Sequence, residues 1–289
     1  MSIGAATARR GTPVGARRSN VITHIVLLIL AVGMVYPLIW MVISSLRNNN
    51  EIFSNPTIFP SSVTFSNYVR GWNALQYPFG RYLLNSLLIT VGSIAGNLIS
   101  CSLTAYAFAR LRFRFKRLLM AVLLGTIMLP EHVTIVPQYV IFSAMGWINT
   151  YLPLIVPKFF GVEAFFVFLI IQFMRTIPRE LDEAASIDGC GHFRIFSSIM
   201  VPLIMPALAT TAIFSFIWTW NDFFRPLIFI STPSMDTAPL ALNLFIDPTG
   251  GVDWGAAFAM SVISLIPVFL FFVFGQRFLV QGISTTGLK

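Results

Sequence analysis

Four ionisable residues stand in or beside stretches of this chain that are otherwise apolar. Lys158 and Glu163 lie near the start of one such stretch, and Glu131 precedes His132 in another. Charged groups at membrane depth are costly and usually serve a function. Lys158 can face a cavity and attract an anionic solute, or its long side chain can carry the ammonium to the membrane surface. Lys158 and Glu163 are five positions apart, so we expect them to be poorly placed for the i,i+4 ion pairing that helices favour.

Glu131 and His132 suggest a second kind of chemistry, because a carboxylate next to an imidazole can relay protons. This pair favours one alternative function, a proton-coupled secondary transporter. Another alternative is a membrane enzyme, which needs an acid pair or a set of metal ligands near one face. The three histidines are scattered over the chain and the two cysteines stand in separate segments, so we expect no metal site and no disulfide.

The composition indicates a membrane protein that places these residues on helices. Apolar residues make up 56% of the chain and charged residues 10%, whereas about a quarter of a soluble domain is charged. Six apolar runs approach or exceed the roughly 18 residues that suggest a bilayer span, and lipid requires such spans to be helical. We predict these spans near residues 21–46, 83–109, 118–144, 151–173, 199–220 and 258–279.

The positions of Lys and Arg predict the orientation of the chain. The net charge of +8 is concentrated in the N-terminal tail and in the loops after the second and fourth predicted spans. With six spans these segments share one side, and the positive-inside rule then places both termini in the cytoplasm. The same distribution explains the basic charge without a nucleic-acid partner, so we expect none.

Three segments follow from this pattern. Residues 1–20 are predicted to be a disordered cytoplasmic tail, residues 21–80 a first transmembrane helix with an extracytoplasmic segment, and residues 81–289 the core transmembrane domain. A short amphipathic helix is predicted at 66–75. The apolar run FFRPLIFI is too short to span a bilayer and is predicted to be re-entrant or half-buried.

The loop at 175–195, between the fourth and fifth predicted spans, has the signals of a short acidic helix. Pro178 suits a first helical turn, and the acidic residues that follow it favour the positive end of the helix dipole. Gly189 then allows the chain to turn. An ordinary solvated loop is the alternative. One face of the predicted helix holds Leu181, Ala184, Ala185 and Asp188.

This loop carries the strings EAASIDG and, further on, PLIMP, which resemble the Glu-Ala-Ala motif of ABC importer permeases. Four further strings and the C-terminal sequence are similar to the maltose-type carbohydrate importers within that group. They are NSL from Asn85, AYAFAR from Ala105, LPEHVTIVPQY from Leu129, WTWNDFFRPL from Trp218 and QRFLVQGISTTGLK from Gln276. The resemblance covers roughly residues 48–289. It implies an all-α type I permease fold, with six transmembrane helices and a cytoplasmic coupling helix.

In that family the short acidic helix is the coupling helix, which docks into a groove on a separate ATPase subunit. The resemblance implies that Glu183 meets a basic residue of the ATPase, while Ala184 and Ala185 permit close approach. Asp188 and Gly189 complete the motif, and Gly189 allows the turn that follows. ATP-driven closure of the ATPase subunits then moves the coupling helices and changes the open side of the transmembrane cavity.

One position departs from the family pattern. Ala usually follows the Asp-Gly pair, and Cys190 stands there in this chain. Because cysteine is small and apolar, we expect docking to survive, and we do not interpret Cys190 as a catalytic thiol.

The resemblance also implies an assembly. A second, homologous permease subunit completes a heterodimer, two copies of an ATPase subunit power it, and an extracytoplasmic sugar-binding protein delivers an oligosaccharide across the membrane lipid. This chain contains no Gly-x-x-x-x-Gly-Lys-Ser/Thr loop to cradle phosphates. We therefore expect no catalytic residue and no cofactor in it, with ATP and Mg on the partner ATPase. A purely structural role, with the partner permease holding most substrate contacts, is a further alternative.

Aromatic faces together with polar groups commonly bind sugars, and such residues gather near the outer end of the fifth predicted span. An interfacial aromatic belt is an equally good explanation of this cluster. The similarity leans toward permeases for acidic oligosaccharides, such as alginate, oligogalacturonate or rhamnogalacturonan fragments, with neutral oligosaccharides as the alternative. The predicted substrate path consists of Lys158, Trp218, Trp220, Asn221 and Asp222.

Overall fold

The computed structural model describes residues 14–54, 62–246 and 252–284, and within these ranges every regular element is a helix. Short 3₁₀ segments lie at Asn49–Glu51, Val156–Phe160 and Pro233–Met235, and a π-helical segment lies at Phe196–Met200. The α-helices are α1 (Val14–Ser45), α2 (Ser66–Asn73), α3 (Phe79–Arg110), α4 (Lys116–Thr126), α5 (Glu131–Ala144), α6 (Leu152–Ile155), α7 (Ala164–Arg175), α8 (Glu180–Ile187), α9 (His192–Ile195), α10 (Val201–Leu203), α11 (Met205–Trp220), α12 (Phe224–Phe229), α13 (Ala238–Leu244) and α14 (Trp254–Ser284). The all-α prediction is confirmed for these ranges.

Four segments of the described chain are long and apolar enough to cross a bilayer, and one bent helix pair makes five if it counts as a single span. The four are Val21–Ser45 within α1, the whole of α3, Leu152–Arg175 across α6 and α7, and Trp254–Arg277 within α14. The bent pair joins His192–Leu203 to Met205–Trp220 at an angle of 76°. Prolines at positions 202 and 206 flank this bend, and each lacks the N–H that a straight helix needs.

The third predicted span, 118–144, is two separate helices. α4 ends at Thr126, and α5 begins at Glu131 after Pro130. A proline lacks an N–H and disfavours helical geometry in the residue before it, so the chain breaks here. Many apolar side chains of α4 and α5, such as Val122 and Val133, lie on the surface of this chain. Both helices therefore form a peripheral layer of the bundle.

The first helix begins earlier than predicted. α1 starts at Val14, whereas the sequence pattern placed the tail at 1–20. Residues 1–13 of that predicted tail lie outside the described residues. None of residues 21–43 of α1 is buried, and α1 meets the rest of the chain near its C-terminal end, where Trp40 packs edge-on against Phe258 of α14.

α3 runs through the middle of the bundle and connects its two ends. Its 32 residues correspond to about 48 Å of helix, and it packs along α7 and α11. Its N-terminal half contacts α2 and α13, and its last residue, Arg110, reaches the segment that links α7 to α8. We call these regions the α2 end and the α8 end.

α2 confirms the predicted amphipathic helix, and it closes the α2 end. The Asn67 amide donates hydrogen bonds to the carbonyls of Ser45 and Arg47, at 2.8 and 2.7 Å, just past the end of α1. Gly71 lies against α14, where an added Cβ would stand 3.0 Å from Met260. A side chain at this position would push α2 away from α14.

The apolar run FFRPLIFI, predicted to be re-entrant or half-buried, forms the short helix α12. It buries Pro226 and Phe229, and the chain becomes extended at Ile230. α12 packs against α5 and α6. The run is therefore partly buried by protein, as predicted.

Candidate functional site

α8 is the short acidic helix that the sequence predicts. Three acidic residues occupy its first turn, where the helix dipole favours negative charge. It ends at Gly189, whose φ of 82° is left-handed and suits glycine. The N–H of Gly189 donates to Ser186 and the N–H of Cys190 donates to Ala185, which is the hydrogen-bond pattern of a Schellman cap. Gly189 thus ends the helix by the predicted turn.

Arg110, the last residue of α3, connects the bundle to α8. Its Nε lies 3.1 Å from Oδ2 of Asp182, and its side chain is only 6% exposed. Its Nη2 donates to the carbonyl oxygens of Met174 and Ile177, at 3.0 and 2.9 Å. Burial raises the pKa of the Asp182 carboxyl, and the nearby guanidinium of Arg110 opposes that rise. Apart from the AYAFAR string that ends at Arg110, no sequence pattern predicted this pair.

The two alanines of the motif differ in exposure. Ala185 is buried in the apolar cluster of the α8 end, whereas Ala184 is exposed. Leu181 and Asp188, predicted to share a face with both alanines, are also exposed. Successive helical residues point about 100° apart, and one side of α8 lies against the bundle. Ala185 therefore packs inside its own chain, and only Ala184 remains available for close approach by another subunit.

A cavity of about 520 Å³ beside α11, which we call the Trp218 cavity, is the second candidate site. Its floor includes Asn97 of α3, whose amide donates to the Ser215 hydroxyl of α11 at 2.8 Å. Neither residue was predicted, because each is an ordinary polar residue in an apolar helix until the fold joins them. The cavity brings together four of the five predicted substrate-path residues: Lys158, Trp218, Asn221 and Asp222.

Trp218 and Trp220 have different surroundings. Trp218 is 46% exposed and stacks on Phe166, with ring centroids 5.0 Å apart. Trp220 is 2% exposed, and its indole N–H donates to the Ser264 carbonyl at 3.1 Å. Trp220 therefore belongs to the packing between α11 and α14, and the structure does not place it on the predicted substrate path.

Lys158 forms an ion pair with Glu163, and the sequence-based expectation of poor placement was wrong. That expectation assumed one continuous helix. The chain instead turns at Gly161, with a φ of 66°, between the 3₁₀ segment that holds Lys158 and the start of α7 after Glu163. Lys158 is also fixed through its backbone, because its carbonyl accepts a hydrogen bond of 2.6 Å from the Ser100 hydroxyl of α3.

A second pair of opposite charges lies in the same cavity. Asp222 accepts a 3.1 Å hydrogen bond from the backbone N–H of Arg225, and its other oxygen lies 3.9 Å from the guanidinium. The Trp218 cavity thus holds two cations and two carboxylates, and its formal charges balance. Arg225 was not predicted as a site residue, although the WTWNDFFRPL string contains it.

A larger cavity of about 610 Å³ also borders these two ion pairs, which we call the ionic cluster, and we name it the Trp147 cavity. Lys158, Glu163 and Arg225 line both cavities. The cluster therefore forms a polar wall between two spaces. Such a wall lets a solute in either cavity meet the same charged groups.

His132 takes part in packing. Its ring lies edge-on to Phe224, with centroids 4.7 Å apart. The side chain of Glu131 lies outside the described residues. Within the described ranges there is also no group of three or more His, Cys, Asp or Glu side chains that could hold a metal ion.

The chain matches the family described as "Binding-protein-dependent transport system inner membrane component" over residues 89–285. The chain belongs to this family. This match, together with the sugar-transport relatives described next, confirms the predicted recognition as a carbohydrate ABC importer permease, and the permease has the inner-membrane character that the family description states. The matched region contains most of α3, α8 and both cavities.

Two relatives and one solved structure support this membership. The permease is 31% identical to the trehalose/maltose transport system permease protein MalG of Thermococcus litoralis, over 94% of this chain and 99% of that protein. It is also 31% identical to the diacetylchitobiose uptake system permease protein NgcG of Streptomyces coelicolor, over 93% and 88% of the two chains. The fold matches a chain of a bacterial ABC transporter that imports the acidic polysaccharide alginate. That match has a TM-score of 0.82 and 21% identity, and it covers 94% of this chain and all of the other. The predicted type I permease fold is confirmed.

Proposed function

We propose that this permease imports an oligosaccharide by alternating access, powered by two copies of a separate ATPase subunit and supplied by an extracytoplasmic solute-binding protein. The observation that carries the proposal is α8. It is a short, capped helix at one end of the bundle, fixed on one side and free on the other.

The free side of α8 has the chemistry of a docking surface. Ile187 of α8 and Phe193 of α9 are 86% and 76% exposed, and Glu183 and Asp188 stand beside them. Exposed apolar side chains gain free energy when a partner buries them, and carboxylates at the rim favour a partner with basic residues. An ATPase groove with an apolar floor and a basic rim fits both. We assign this surface to the cytoplasmic side, in agreement with the predicted orientation.

A second permease subunit is the other partner that we propose. The Trp218 and Trp147 cavities are both open at the surface of this chain, and α1 has an apolar stretch without buried residues. Lipid covers part of this surface, and a homologous permease in a heterodimer would close the path around a solute. The names of the two relatives, as parts of an uptake system and a transport system, agree with an assembly.

The Trp218 cavity supports a carbohydrate as the solute. The exposed ring of Trp218 provides a flat apolar face, and Asn221 and Asp222 provide polar groups close to it. The cations Lys158 and Arg225 support the acidic class of oligosaccharide. The carboxylates that balance them support the neutral alternative. Because each cation has a counterion, an acidic sugar must share that cation with a carboxylate or displace the carboxylate to bind it.

The test is purification of the tagged permease from its native membrane, followed by reconstitution into vesicles. We expect an ATPase subunit and a second permease to copurify, and we expect a sugar-loaded binding protein to stimulate both ATP hydrolysis and uptake. A chain that purifies alone and moves solute with a pH gradient would contradict the proposal and favour the proton-coupled alternative.

A further inference from the structure

The junction between α8 and α3 is built around one buried guanidinium. Arg110 is the last residue of α3, and it touches the C-terminal carbonyls of α7 and the carboxylate of Asp182 in α8 at the same time. Both members of the pair are largely shielded, with side-chain exposures of 6% and 19%. A single side chain therefore fixes the relative position of three helices.

Two further contacts support the same junction. The guanidinium of Arg179, just before α8, donates to the carbonyl of Ala109 at 3.3 Å. Ala185 lies in one apolar cluster with Ala105 and Ala109 of α3. The last turns of α3 thus contact α8 through a charge pair, a hydrogen bond and side-chain packing.

α3 also reaches the Trp218 cavity. Asn97 lies in its floor, and Ser100 donates to the backbone of Lys158. Along the helix, Asn97 is about 20 Å from Arg110, since each residue adds about 1.5 Å. One continuous helix therefore links the junction to the backbone that carries the ionic cluster.

The charges of this pair are poorly explained by stability alone. A buried ion pair usually repays little more than its own desolvation, and an apolar pair of similar volume is often as stable or more stable. The pKa of Asp182 is raised, which indicates that the attraction to Arg110 only partly offsets the desolvation of the carboxylate. What this charge pair and the two hydrogen bonds from Arg110 to the carbonyls of Met174 and Ile177 provide beyond an apolar contact is one fixed register between the helices.

We propose that Arg110 is a positioning residue that fixes α8 to α3, so that a displacement of α8 moves α3 and the floor of the Trp218 cavity as one unit. This inference rests on the proposed coupling of α8 to an ATPase. Arg110 touches neither the solute nor ATP, and it acts through Asp182.

The deciding variant replaces the charge pair by an apolar pair, Arg110→Met with Asp182→Leu. This double variant removes the ion pair between Arg110 and Asp182 without leaving a buried charge unpaired. We expect the assembled complex to form and to hydrolyse ATP, while the number of sugars imported per ATP falls about twofold to thirtyfold, the range by which mutations typically change the coupling between two sites. Asp182→Asn, which keeps the size of the side chain, should lower the same ratio in the same direction. Arg112→Gln is the matched control, because it removes one exposed cation from the neighbouring loop without removing an ion pair among the described residues.

The ratio of transport to hydrolysis separates positioning from folding, since a loss of folded complex lowers both quantities together. A wild-type ratio in both Asp182→Asn and the apolar double variant would overturn the inference, and so would an equal drop in Arg112→Gln. If the wild-type permease binds no ATPase, the proposed function fails, and that result is visible before any variant is made.

Discussion

The α8 end leaves some of its carboxylates exposed, whereas the charged side chains of the Trp218 cavity lie in pairs of opposite sign. At the α8 end, Arg110 and Asp182 are paired inward while Glu183 and Asp188 remain exposed beside Ile187. In the cavity, Lys158 pairs with Glu163 and Arg225 lies beside Asp222. The first region therefore has a surface whose apolar and acidic groups gain by docking. In the second region the charged groups already contact each other, so a solute must compete with these contacts to bind them.

This contrast predicts that changes at α8 disturb partners, whereas changes in the cavity disturb the fold or the choice of solute. The five predictions below test it, from the largest expected effect to the smallest.

Gly189→Pro should have the largest effect on transport. Proline holds φ near about −65° and has no N–H, whereas Gly189 has a φ of 82° and donates to Ser186. The cap of α8 cannot form, and we expect uptake to fall more than about tenfold at equal amounts of protein, since lost caps and left-handed strain cost on the order of 1–2 kcal/mol each.

Gly146→Pro is the matched control, because Gly146 has a φ of 69° after α5 and donates to Ser143 in the same way. We expect uptake to fall much less in this variant. Equal losses of uptake in the two variants, at equal membrane insertion, would mean that α8 has no special role.

Lys158→Ala should destabilise the permease, because it leaves Glu163 with a buried charge and no ammonium. Breaking a buried pair typically costs about 3 kcal/mol or more. Lys158→Met combined with Glu163→Leu removes both charges, so we expect most of the thermal stability to return. Melting temperature in detergent is the measurement. A single variant as stable as the double variant would show that the pair is not formed in the membrane.

The same double variant tests the class of sugar. If the solute is acidic, uptake of uronate oligomers should fall more than uptake of neutral oligomers, because a cation of the cavity wall is gone. Equal effects on the two sugars would remove the role of Lys158 in selecting an anion and favour the neutral alternative.

The α8 end could be predicted from the sequence much better than the Trp218 cavity, and the reason is physical. The helix α8 is determined by residues that are close in sequence, namely its acidic first turn and Gly189. It can therefore be predicted without knowledge of the fold. The ionic cluster depends on a turn at Gly161 and on the break between α11 and α12, which places Arg225 beside Asp222 in the same cavity as Lys158. Pairings of this kind come from tertiary packing, and periodicity carries no information on them.

The errors of the sequence reading have equally local causes. The break at Pro130 divides an apolar run that hydropathy treats as one span. Trp220 has the same residue type as Trp218 and lies two positions away, yet it points about 200° around the helix into the α14 contact. Ala185 faces the core for the same geometric reason. Residue type alone cannot tell a buried helical face from an exposed one when both are apolar.

Ala184→Leu and Ala185→Leu should separate the two faces of α8. Ala185 is buried, so the larger side chain overpacks the α8 end and lowers stability by about 1–3 kcal/mol. Ala184 is exposed, so stability should change by less than about 0.5 kcal/mol while the recovery of ATPase on purification falls. Thermal melting and the ratio of ATPase to permease after purification are the two measurements. The reverse pattern would place the docking face on the wrong side of α8.

Trp218→Ala and Trp220→Phe make the corresponding comparison in the cavity, with the smallest expected effects. Trp218 offers a half-exposed ring, and the loss of one aromatic contact, about 0.5–1.5 kcal/mol, should raise the KM for sugar uptake about twofold to tenfold. Trp220→Phe keeps the buried ring but loses the hydrogen bond to Ser264, so stability should fall by about 1 kcal/mol while KM stays unchanged. An unchanged KM in Trp218→Ala would leave its ring as part of an aromatic belt at the membrane surface, and the solute would then have to bind elsewhere, with the partner permease supplying the contacts.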